Sequence, residues 1–61
     1  MANLTSKELT ALEDQLGFEH TCVCKYQAAA QETGETALRD CFNQYAGQHQ
    51  QIFNRLLGFL R

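Results

Sequence analysis

Proline is absent from the 61 residues, tryptophan is absent, and aromatic residues make up only 10% of the chain. Without proline, and with few of the aromatic and β-branched residues that favour strands, the chain lacks the makings of a sheet protein. What fills it instead is Ala, Leu, Gln and Glu, the composition of long helices. Positive charge is also scarce and scattered. Lys7, Lys25, Arg39, Arg55 and Arg61 lie along the whole length and the net charge is −2, so no basic stripe forms and nucleic acid is not an expected partner. No apolar run approaches membrane-spanning length, and the opening Met1–Glu8 has no apolar segment of secretory type. These absences predict a soluble chain made in the cytosol, with no membrane partner.

Cysteine is present but in a count that builds no known scaffold. Cys22, Cys24 and Cys41 are odd in number, and no second closely spaced pair completes a zinc site. The plain reading is three small apolar residues in a reducing compartment. A chain this short lies near the lower limit for burying enough surface to offset its conformational entropy, and disulfides, a metal or self-association are the usual supports. At least one thiol lacks an intrachain partner, and under oxidation Cys22 and Cys24 are candidates to join neighbouring chains; a metal and self-association are the other two supports.

The segment Leu4-Thr5-Ser6-Lys7-Glu8-Leu9 carries a helix-start signal. Thr5 and Glu8 are spaced for a capping box, and Leu4 can staple onto Leu9. Apolar residues then recur at Leu9, Leu12, Leu16, Val23, Tyr26 and Ala30, in alternating steps of three and four if position 19 is included. Position 19 is a glutamate. A turn is predicted at residues 32–35, where Thr33 is placed to cap a second helix and Gly34 to relieve the reversal. The pattern resumes as Leu38, Phe42, Tyr45, Ile52, Leu56 and Phe59, regular only if position 49, a histidine, is counted.

A short connection forces the helices antiparallel, and residues at equal height then have numbers that add to a constant. Leu9 with Phe59, Leu12 with Leu56, Leu16 with Ile52, Val23 with Tyr45, Tyr26 with Phe42 and Ala30 with Leu38 all meet that condition. The predicted fold is therefore all-α: one antiparallel two-helix hairpin in a single domain, helix 1 over residues 6–31, the turn over 32–35 and helix 2 over 36–60. Such rods are about 38 Å long and have one seam. Phe18, Phe53, Leu57 and Leu60 fall off it, which predicts a homodimer closing into a four-helix bundle. Gly17 and Gly47 lie inside the helices, where close helix approach is one use for them.

Glu19 and His49 satisfy the same height rule, so the two polar interruptions face each other across the seam. A desolvated carboxylate there needs a hydrogen bond, a cation or a metal. Two readings follow. One is a buried Glu–His hydrogen bond that sets helix register. The other is a metal site, with Glu19 and His49 of two copies supplying ligands for zinc, iron or manganese. His20 points to the flank, and Tyr45, one turn before His49, is placed either to donate to Glu19 or to fill the core. No nucleophile–base order, phosphate loop or dinucleotide fingerprint is present, so no enzyme activity is expected.

One glutamate on the first helix and a histidine on the second resemble half of a ferritin-like di-iron site, which takes Glu from one helix and Glu-x-x-His from the next. Ala46 stands where that second glutamate would be. More closely, the opening Leu4–Leu9 segment, Glu19, Lys25-Tyr26-Gln27-Ala28, the short turn and His49-Gln50-Gln51-Ile52-Phe53 followed by Leu56-Leu57 resemble the coat F (CotF-like) family of spore coat proteins. That resemblance implies a ferritin-like helical hairpin with a structural or assembly role in the spore coat, other coat proteins as partners, and no catalytic activity. A third possibility is an adaptor that receives a foreign helix on Phe18, Phe53 and Leu57.

Overall fold

The computed structural model describes residues 3–61; Met1 and Ala2, part of the amino-terminal stretch read above, lie outside them. Helix α1 runs Ser6–Glu32, helix α2 runs Thr36–Leu57, and a last 3₁₀ turn covers Gly58–Leu60. There is no strand among the described residues. The two helices lie along one another as an antiparallel hairpin of 46 × 15 × 11 Å, with a radius of gyration of 14.2 Å. A compact domain of this length would have about 10.5 Å. The molecule is a rod, and its surface is correspondingly large.

The ends of α1 follow from local chemistry. Thr5 Oγ1 accepts from the Glu8 backbone N–H at 3.1 Å, and Glu8 Oε1 accepts from the Thr5 N–H at 2.9 Å, completing the capping box. At the far end Thr33 leaves the helix with an extended backbone while its N–H still reaches the Ala29 carbonyl at 3.1 Å. Thr33 does not cap α2 as expected. Its hydroxyl accepts from the Glu35 N–H at 3.2 Å inside the turn, and Glu35 holds the cap position of α2 without a side-chain bond. The Arg39 guanidinium donates to the Thr33 carbonyl at 3.0 Å and closes the loop from the other side. Gly34 has no left-handed backbone, so the reversal does not depend on glycine.

The seam of α1 is nearly the expected one. Glu19, Val23 and Ala30 are buried and Leu12, Leu16 and Tyr26 half-buried, although Leu9 stays 38% exposed. On α2 only half of the expected stripe faces inward. Phe42, His49 and Leu56 are half-buried, but Leu38, Tyr45, Ile52 and Phe59 remain exposed. Ala46, Phe53 and Leu60, one position further along, take their places, and Leu57 is half-buried too. Helix α2 is thus turned about its axis relative to the expected face. Small Ala46 is buried where the rods close, whereas bulky Tyr45 stays exposed at the seam's edge. The core that results is thin: Val23, Ala30 and Ala46 are its only buried apolar residues among those described, and no large side chain is fully enclosed.

A Cβ added at Gly17 or Gly47 would meet nothing within 4 Å, so neither glycine serves a close helix approach. In an exposed helix interior such a glycine costs about 1 kcal/mol against alanine. Gly47→Ala is therefore expected to stabilise the hairpin by about that amount, read as a higher midpoint in chemical denaturation. Thr5→Ala, which removes the capping box, is expected to lower stability by a similar ~1 kcal/mol.

Candidate functional site

Midway along the rod the hairpin brings Glu19 and His49 together, as their shared height requires. His49 Nδ1 lies 2.5 Å from Glu19 Oε1. The other carboxylate oxygen accepts from Gln15 Nε2 at 2.6 Å, one turn earlier on α1. Glu19 is only 3% exposed, so both of its oxygens would be costly to bury without these partners. With them, no buried side-chain oxygen or nitrogen among the described residues lacks a hydrogen bond. As a carboxylate Glu19 only accepts, so the imidazole proton of this bond sits on Nδ1.

Tyr26 completes the surroundings. Its ring stacks on His49 with centroids 5.7 Å apart and planes inclined by 15°, and it also meets Phe42 at 6.0 Å and Tyr45 at 5.5 Å. The imidazole is therefore fixed by a carboxylate on its edge and an aromatic ring on its face. Tyr45 neither bonds Glu19 nor fills the core. It is 42% exposed, and hydrogen bonding with Cys41 pushes its phenol above the ordinary value.

The remaining candidates stand apart from this pair. His20 points to the flank, where its ring tilts against Phe53 at 6.1 Å and its Nε2 lies 3.8 Å from Cys24 Sγ, one turn along α1. All three thiols are free; Cys24 is exposed, while Cys22 and Cys41 are half-buried. Gln15 and Tyr26 are the members of the site that the spacing argument did not assign to it. Gln15 was legible as a polar residue one helical turn before Glu19, and Tyr26 as the next seam position after Val23. Among the described residues no three His, Cys, Asp or Glu side chains converge, so Glu19 and His49 of one copy offer a metal two ligands.

No family model, curated protein or solved structure matches the chain. No helix among the described residues is long and apolar enough to cross a membrane.

The hydrogen bond from His49 holds the Glu19 carboxyl below its ordinary value of 4.5, outweighing the burial that pushes it up, and Gln15 adds to the lowering. A carboxyl whose folded value is depressed contributes stability above its unfolded value and loses it as pH falls through the folded one. Thermal unfolding followed from about pH 7 down to about pH 3 should show a falling midpoint, and Glu19→Gln should flatten that acid limb. Glu19→Ala alone is expected to destabilise, because it strands Gln15 and His49. Glu19→Leu combined with His49→Leu should restore much of the loss, by replacing the polar pair with apolar contact.

Proposed function

We propose that this protein is a non-enzymatic assembly module, a helical hairpin that works as a dimer and packs side by side with its own kind in a larger protein layer. The observation that carries the reading is the mismatch between the core and the surface. Three small or medium apolar residues are buried, whereas Phe18, Leu38, Tyr45, Ile52 and Phe59 are each more than a third exposed. The accessible surface of 4609 Å² exceeds the ~4,000 Å² usual for a compact monomer of 6.9 kDa. The excess, roughly 600 Å², approaches the ~800 Å² each partner buries in a standard interface. The Glu19–His49 pair fits this role as a register key, since both oxygens of the buried carboxylate are satisfied within the hairpin.

A place in a spore coat, with other coat proteins as neighbours, is the form of this proposal that the motifs of the chain favour. Mass spectrometry of the coat fraction of purified spores from the source organism tests it, and enrichment there over the cytosolic fraction is the expected result. Sedimentation equilibrium tests the module itself. A dimer is expected at micromolar concentration, and a persistent monomer would overturn the proposal. The alternative, a ferritin-like metal protein using Glu19 and His49 of two copies, is separated by elemental analysis. Stoichiometric zinc, iron or manganese that disappears with Glu19→Ala would favour it.

A further inference from the structure

The exposed apolar residues are not scattered. A helix advances about 100° per residue, so Leu38, Tyr45 and Ile52 on α2 and Phe59 in the 3₁₀ turn that follows it, each seven residues from the next, form one line. In an antiparallel pair, the edge of the seam that Tyr45 and Tyr26 occupy is also the side toward which Phe18 projects from α1. His20 and Phe53 mark the opposite edge. Of the six large exposed apolar side chains among the described residues, five thus share one face, and Leu9 alone lies on the other side.

We infer that this face docks a second copy of the chain about a two-fold axis perpendicular to the rods, crossing α2 between Gln48 and His49 and α1 between Glu19 and His20. The inference rests on the assembly reading above and assigns it a surface. The row on α2 is self-complementary about that axis: Leu38 meets Phe59 of the second copy, and Tyr45 meets its Ile52, each contact occurring twice as a two-fold demands. Carried across by the Glu19–His49 pairing, the same axis sets the register on α1. There Asp14 falls opposite Lys25 of the second copy, and Lys25 opposite its Asp14, placing two opposite-charge pairs along the outer rim of α1. Phe18 falls within one residue of the height of Cys22 of the second copy, so a large side chain meets a small one on α1 while large meet large on α2. Other antiparallel dockings of this face do not match the row on α2 and the charges on α1 to one axis.

Disulfide trapping tests the geometry. With Cys22, Cys24 and Cys41 replaced by serine, Gln48→Cys puts a thiol beside the axis and should cross-link nearly completely on mild oxidation. Gln50→Cys, at almost the same height on the opposite flank of α2, should stay monomeric in denaturing gels. A charge swap in the unaltered chain supplies a second readout: Asp14→Lys should weaken dimerisation several-fold, and adding Lys25→Asp should restore it. A dimer by sedimentation in which Gln48→Cys does not cross-link, or Gln50→Cys does, overturns this face while leaving assembly intact. A chain that is monomeric at every concentration overturns both.

Discussion

Two helices packed along one line bury one stripe of each and no more. Everything distinctive about this protein follows from that constraint. A stripe on a rod this narrow cannot enclose a large side chain, and none is enclosed here. Hydrophobic burial within one hairpin is correspondingly small, while the entropy of ordering 61 residues is not. The usual extra supports of small domains are cross-links, metals and partners. The three thiols are free, and no metal-sized cluster of ligands forms within one copy among the described residues. Under the assembly reading proposed above, association supplies the missing support, through the apolar row on one side of the rod.

The polar pair at the centre solves a different problem. Apolar stripes attract one another in many registers, and a hairpin with a short turn can still slide or rotate by a residue. A carboxylate buried at mid-seam tolerates only the register that delivers its partner. Glu19 receives Gln15 from its own helix and His49 from the other, and Tyr26 clamps the imidazole from its face. One specific arrangement is thereby separated from its neighbours, even though the pair itself adds little net stability beyond what an apolar pair would give. The same arrangement aligns the outer face of α2 with that of α1, so the register of the hairpin also sets the register of any docking built on it.

Much of this was legible from residue spacing. The capping box at Thr5 and Glu8, the reversal near Gly34 and the meeting of Glu19 with His49 follow from periodicity and from the equal-height rule of antiparallel rods. The rotation of α2 did not follow. Rows 38/45/52/59 and 46/53/60 differ by one residue, both suit a half-buried surface, and apolarity favours the first because Ala46 looks unremarkable. Packing reverses that preference: the smaller residue permits closer approach, and the larger ones are left outside, where a partner can use them. Gln15 and Tyr26 were missed as site members for a related reason, since their role depends on which side of Glu19 and His49 the rods leave open. The turn differed because Thr33 spends its hydroxyl within the loop and Arg39 reaches back to secure it, a contact across six positions that no local rule anticipates.

If the hairpin depends on a partner, folding and association are one event. The direct measurement is the thermal unfolding midpoint of the unmodified chain as a function of protein concentration. Coupled association makes the midpoint climb steadily as the chain is concentrated, because mass action favours the assembled state. A midpoint independent of concentration across the micromolar to millimolar range would mean that the single hairpin is stable by itself, and would contradict the central claim.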